Sequence, residues 1–215
     1  MSKSNLFPLI QAVLTADIVN STLLPPVPER QLFRVLKTLL TPYKYEFYRG
    51  DSFQVYIKNA REALCIALLC RAAAISLPPA ENGARADIRV SIGLGAVKTP
   101  VQALSSAKGE AFLISGRQFD EINQSEQRLA IRIGQPLAAI AFAVIADYLD
   151  SIFKMMTDKQ ALVIFELLKG KTQRQVADKL NKSPSTVNQH VTAGRWTETG
   201  KLLQQYESVI EQINL

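Results

Sequence analysis

Residues 43–57 read YKYEFYRGDSFQVYI, and their period decides the fold of the first 135 residues. Two runs rich in aromatic and β-branched side chains flank an Arg49-Gly50-Asp51 turn, and the second alternates Phe53, Val55 and Ile57. That is the pattern of a strand, a tight turn and a returning strand. Outward from this hairpin the period changes. Upstream, residues 29–40 carry Leu32, Val35, Leu36, Leu39 and Leu40 at the spacing of an amphipathic helix. Before them, residues 9–16 (LIQAVLTA) form a short apolar run ending at Asp17, which predicts a buried strand, and residues 23–28 are a proline-rich break. Downstream the pattern predicts a helix over 60–75, a loop over 76–86, a strand over 87–97 (DIRVSIGLGAV), a helix over 109–122 and a short strand over 128–133 (RLAIRI). The order is β-α-β-β-α-β with elements appended. The expected fold class is therefore α+β, with a ferredoxin-like N-terminal domain.

From Pro136 onward the strand pattern ends. Helical segments are expected over 137–154, 158–169, 173–180 and 184–194, with a tail helix over 199–213. The expected organisation is a domain over 1–135, a linking or dimerising helix over 136–157, and an all-α domain over 158–215. The apolar helix could form a dimer seam or pack between the two domains. Thr172 followed by Gln175 is a capping box, and Ser183-Pro184 is a second helix start with proline where a missing N–H costs nothing. Two short helices separated by about three residues, sharing Val176, Ala177, Leu180, Val187 and Val191 as one apolar face, are what a DNA-binding helix-turn-helix requires. The candidate contacts to double-stranded DNA are Thr172, Gln173, Arg174, Lys182, Ser183, Ser185, Thr186, Asn188, Gln189, His190 and Arg195. A small helical bundle used for protein contact is the alternative. Trp196 reads as core.

Composition bounds what remains. The chain has 215 residues, 47% hydrophobic and 20% charged, enough to bury a core, with a formal charge of +6. That surplus is local: between Lys169 and Lys201 seven basic residues face two acidic ones. Cys65 and Cys70 are five apart in an apolar stretch and His190 is the single histidine, so a structural zinc site is not expected and the thiols suit a reducing cytosol. Met1 to Asn5 lacks the features of a signal peptide, and the apolar run over 136–146 stops at Asp147, short of a membrane span. The chain is expected to be cytoplasmic, away from membranes.

The β-α-β-β-α-β order also gathers chemistry. It brings the end of the first strand and the hairpin turn to one sheet edge, so Asp17 and Asp51 become neighbours on strands about 4.8 Å apart. Two carboxylates so placed repel unless a proton or cation sits between them. Such oxygens suit Mg²⁺ or Mn²⁺, completed by the phosphates of a nucleotide. Gly50 would let the turn approach that ligand.

These residues carry a family resemblance. Asp17-Ile18-Val19-Asn20-Ser21-Thr22, Gly50-Asp51-Ser52-Phe53, the strand from Ile88 to Gly95, and Gly109-Glu110-Ala111-Phe112 through Arg117 resemble the successive signatures of class III nucleotide cyclases over roughly residues 9 to 122. With the C-terminal helix-turn-helix, the whole chain is similar to the SatD-type bacterial proteins. The resemblance implies that Asp17 and Asp51 hold the metal, with the backbone of Ile18 as an extra ligand and Gly50 and Phe53 beside the nucleotide. It implies that Arg117 stabilises a phosphoryl transition state across a homodimer. It departs at Leu113, where active cyclases orient the ribose with asparagine, and at Phe47 and Tyr48, where they select the base. Two functions follow as expectations: a DNA-binding transcriptional regulator whose cyclase-like domain dimerises and senses a nucleotide effector, or a divergent cyclase or nucleotidyltransferase regulated through its helix-turn-helix.

Overall fold

The computed structural model describes residues 10–48, 50–80 and 82–213; Met1 to Asn5, Leu9 and the turn residue Arg49 lie outside them. Five strands form one sheet: β1 (Gln11–Val19), β2 (Lys44–Tyr48), β3 (Ser52–Ile57), β4 (Asp87–Gly95) and β5 (Leu129–Ile133). Their order is β2-β3-β1-β4-β5, antiparallel throughout except for the parallel pair β4–β5. Helix α1 (Pro26–Leu40) joins β1 to β2, α2 (Ala63–Ile75) joins β3 to β4, and α3 (Glu110–Asn123) joins β4 to β5. The result is a mixed α+β fold. One boundary differs from the expectation in a way that matters: β1 runs on to Val19, so Asp17 lies inside a paired strand and not at its end.

Period-2 alternation sorts the sheet into two faces. Ala12, Leu14, Ala16 and Ile18 of β1, with Phe53, Val55 and Ile57 of β3 and Ile88, Val90, Ile92 and Leu94 of β4, are buried in the core with Leu32, Leu36 and Leu40 of α1. The opposite face carries Thr15, whose hydroxyl donates to Ser115 of α3 at 3.0 Å. Gly93 is obligatory there, because a Cβ would lie 2.3 Å from the Ala111 carbonyl oxygen and 2.5 Å from the Ser115 nitrogen of α3.

The remaining helices are α4 (Pro136–Met155), α5 (Asp158–Leu168), α6 (Gln173–Leu180), α7 (Pro184–Ala193) and α8 (Trp196–Ile213). Helix α4 packs on β5 and α8, and α5 packs on α2. Helix α2, buried along its whole length except at Cys65, thus lies between the sheet and α5, which is why its sequence is apolar all round. The buried core is continuous from β1 to Ile210 of α8. Arg71 of α2 adds a polar tie: fully buried, it pairs with Asp87 at 2.7 Å and Asp150 of α4 at 2.8 Å, and its guanidinium lies 5.3 Å from the centre of the Phe153 ring. Burial works against its charge, but the two carboxylates more than compensate and raise its pKa. By length and composition α4 is apolar enough to cross a membrane; here Phe142, Leu149 and Phe153 bury one of its faces in the core, while Leu137, Ile140, Val144 and Met155 stand exposed.

Candidate functional site

The sheet edge brings Asp17 and Asp51 together through backbone register. Asp17 is opposite Ser52 of β3, and the Ile18 N–H donates to the Asp51 carbonyl at 3.1 Å. Gly50, at φ +89°, takes the left-handed conformation that turns the chain into β3. On its other side Asp17 faces Arg89 of β4, whose guanidinium donates to Asp17 Oδ2 at 3.0 Å and also to Asn123 Oδ1 at the end of α3. Asp51 Oδ2 accepts from Ser21 Oγ at 2.7 Å. Burial raises the pKa of Asp17, the Arg89 guanidinium opposes that rise, and the charge of Asp51 adds to it. The two carboxylates therefore sense each other.

The donors fit a hard divalent cation. Asp17 Oδ1 is buried and has no hydrogen-bond partner, which leaves it as the oxygen able to ligate while Oδ2 stays with Arg89. Among the described residues no group of three His, Cys, Asp or Glu could hold a metal. The remaining ligands would have to come from water or phosphate, which is how Mg²⁺ is usually bound. Two of the other expected members, Phe53 and Arg117, lie elsewhere. Phe53 turns to the opposite face of the sheet, 1% exposed and 5.2 Å from the Phe47 ring centre, so its ring belongs to the core and cannot line a nucleotide site. Ile18 stays at the edge through its backbone, whose N–H donates to the Asp51 carbonyl, while its side chain is buried. Arg117 is exposed on α3, one turn after the exposed Leu113, and among the described residues no hydrogen bond or ion pair joins it to the aspartates.

The second candidate is the pair α6 and α7. Thr172 Oγ1 accepts from the Gln175 N–H at 3.3 Å, and Gln175 Oε1 accepts from the Thr172 N–H at 2.9 Å, so both halves of the capping box are present. Asn181 closes α6 at φ +50°, and Ser183 Oγ accepts from the Thr186 N–H at 3.1 Å to open α7. Val176, Ala177, Val187 and Val191 are buried between the helices and α5. Ser185, Asn188, Gln189 and Thr192 of α7 are exposed, Thr186 and His190 are half-buried, and Thr172, Gln173, Arg174 and Lys182 are exposed beside them.

Two features of this region bear on how much of its charge is free. Arg195 does not extend as a free contact: it pairs with Glu198 at 3.2 Å, its guanidinium stacks 5.2 Å from the Tyr148 ring centre, and it donates to the Tyr148 hydroxyl. The basic surplus is also partly spent. Glu166, just before the counted stretch, is 3% exposed and takes Lys179 at 2.7 Å, Lys171 at 2.8 Å and Lys169 at 3.9 Å. Arg174, Lys182 and Lys201 are the basic residues of the stretch without an ion pair among the described residues.

No protein-family model and no curated protein matches this chain. Among solved structures, it is similar to the active GGEEF domain of a diguanylate cyclase from Vibrio cholerae, at 11% identity and a TM-score of 0.41, covering 59% of this chain and 83% of that one. It is also similar to a bacterial light-regulated adenylyl cyclase, at 13% identity and a TM-score of 0.38, covering 57% of this chain and 42% of the other. A further structure described as a bacterial light-regulated adenylyl cyclase gives 13% identity, a TM-score of 0.38 and coverage of 61% and 45%. The aligned part thus spans less than half of each adenylyl cyclase.

Arg89, Ser21 and Asn123 are members of the sheet-edge cluster that sequence reasoning missed. A signal for Arg89 existed. Once β4 is placed antiparallel beside β1, its first residues must meet the last residues of β1, and Arg89 has the parity of Asp17.

Proposed function

We propose that the chain is a double-stranded-DNA-binding transcriptional regulator, in which a ferredoxin-like, cyclase-type α/β layer carries a helix-turn-helix formed by α6 and α7. The observation that carries this reading is the outward face of α7. Ser185, Asn188, Gln189 and Thr192 are exposed on the side opposite the buried Val187 and Val191. A helix of this size enters a major groove, and Asn or Gln pairs there with the N6 and N7 edge of adenine. Thr172, Gln173, Arg174 and Lys182 are suited to phosphate contacts that set the register. His190, half-buried, is available at most through its edge.

One such unit reads a half-site, so the reading calls for a homodimer. The exposed Leu137, Ile140, Val144 and Met155 on α4 offer an apolar seam for it. Selection from a random duplex pool by the full chain should enrich one motif, bound at low ionic strength and lost steeply as salt rises. Failure to enrich any sequence, with no duplex binding in low salt, would remove the proposal.

A second reading rests on the buried, partnerless Oδ1 of Asp17. The edge formed by Asp17, Asp51 and Gly50 would hold a nucleotide effector through Mg²⁺ or Mn²⁺, which would supply neutralisation of the phosphate charge. Leu113 cannot hydrogen-bond a ribose, so the reading favours sensing over cyclisation. Asp17→Asn with Asp51→Asn should weaken Mn²⁺-dependent ATP or GTP binding about tenfold in calorimetry. An unchanged affinity rules the site out. Cyclic or polymeric product formed from ATP or GTP with Mn²⁺ would instead favour a divergent cyclase or nucleotidyltransferase using Arg117 across a dimer.

A further inference from the structure

A cavity of about 390 Å³ lies where α1 and the end of α2 meet α5 and α6, and neither Asp17 nor Asp51 lines it. Its walls are apolar where Val35, Leu39, Leu77 and Phe165 line it. Its polar rim is built from three cations, Arg34, Lys169 and Lys179, and one carboxylate, Glu166. Glu166 is already over-supplied with positive charge. Lys179 lies at 2.7 Å, Lys171 at 2.8 Å and Lys169 at 3.9 Å, and those cations outweigh the effect of burial and lower its pKa. Arg34 is exposed and has no ion pair among the described residues. The rim therefore carries two positive charges more than it carries negative ones, above an apolar pit.

We propose that this cavity is a binding site for a small amphipathic organic anion, an apolar body with one carboxylate at its end. Volume and lining fall within the range of small-ligand sites, which are mostly apolar with a few placed polar groups. The apolar body covers the half-buried Val35 and Leu39 and packs on Leu77 and Phe165, which are already buried. The carboxylate takes Arg34 and the surplus on Lys169 and Lys179. A cationic ligand would meet three cations, and a neutral apolar one would leave the rim unused. Charge complementarity selects the anion. Lys169 follows directly on α5 and Lys179 sits on α6, so the occupant would touch both the α/β layer and the helices that follow it.

The test uses the full chain and two probes of equal length, decanoate and decanol, each competing with the fluorescent anion 1-anilinonaphthalene-8-sulfonate. Decanoate should displace the dye at least tenfold more effectively than decanol. Arg34→Glu, at an exposed position that does not endanger folding, should weaken decanoate about tenfold and leave decanol unchanged. Val35→Phe, which fills the pit from its half-exposed wall, should weaken both, with circular dichroism confirming the fold of each variant. Equal displacement by decanoate and decanol, decanoate affinity unaltered in Arg34→Glu, or dye binding unaltered in Val35→Phe would each overturn the proposal. The readout involves no nucleic acid, so a failure to bind duplex DNA would leave it standing.

Discussion

The carboxylate edge of the sheet and the outer face of α7 are both polar, but they differ in what they have left to offer. At the edge, Asp17 Oδ2 is held by Arg89, Arg89 by Asn123, and Asp51 by Ser21, while Asp17 Oδ1 and Arg89 Nε are buried without a hydrogen-bond partner. On α7, Ser185, Asn188, Gln189 and Thr192 are exposed, and the inward side chains hold the helix in place without them. The paired charges at the edge fix geometry and leave one carboxylate oxygen over, whereas the outer side chains of α7 carry no structural duty. Polar side chains thus serve architecture at the edge, and on the proposed reading those of α7 are left for recognition.

The comparison breaks most visibly if the exposed face is removed. Asn188→Ala with Gln189→Ala should cost about 2–6 kcal/mol of discrimination between the selected site and a scrambled duplex, since a good bidentate base contact is worth about 1–3 kcal/mol. Equilibrium competition binding measures it. The same double variant should unfold in urea within about 0.5 kcal/mol of the parent, because neither side chain supports the fold. Arg89→Leu should show the opposite profile. It leaves the Asp17 carboxylate partly buried without its guanidinium, at a cost of about 1–3 kcal/mol in urea unfolding, with duplex affinity unchanged. An Arg89→Leu protein as stable as the parent would mean that the Arg89–Asp17 pair does not support the fold.

Both contrasts show what was legible in the sequence and what was not. The hairpin over 43–57, the capping box at Thr172 and the Ser183-Pro184 start are local, and each is built by residues within a few positions of one another. Period and cap chemistry therefore reveal them. The Arg89–Asp17 pair depends on a register between strands 72 residues apart, which no local propensity encodes. Charge shows the same limit. Counting from Lys169 misses Glu166 by three residues, and Lys179 reaches it only because α6 folds back on α5. Arg195 appears free in sequence, but a positive φ of 53° sends it to Tyr148 on α4. Phe53 fails as a ligand residue for a simpler reason: its parity within β3 puts it on the core face with Val55 and Ile57.

A smaller effect sharpens the account of Glu166. Burial alone would raise its pKa, but Lys171 and Lys179 bring it below its usual value of 4.5 in the folded protein. A group lowered on folding adds stability above its unfolded pKa and loses it as pH falls through the folded one. Glu166→Gln should therefore flatten the loss of stability with acidification below about pH 4.5. A stability profile in urea from pH 3 to 7 that is parallel to the parent's would show that the lysines do not hold the carboxylate charged.

The smallest predicted change separates charge from sequence reading within the helical region itself. Lys182 lies exposed in the turn between α6 and α7 with no ion pair among the described residues, whereas Lys179 is drawn back onto Glu166. A phosphate contact releases counterions, so its loss weakens all sequences alike and lowers the slope of log affinity against log salt by about 1. Lys182→Ala should do this, and Lys179→Ala should do less, because its ammonium is already paired with Glu166. Titrations of the selected and scrambled duplexes across 50–300 mM salt compare the two. If Lys179→Ala changes the slope as much as Lys182→Ala, Glu166 releases Lys179 on binding, and the spent and the free cations of this region are not separate sets.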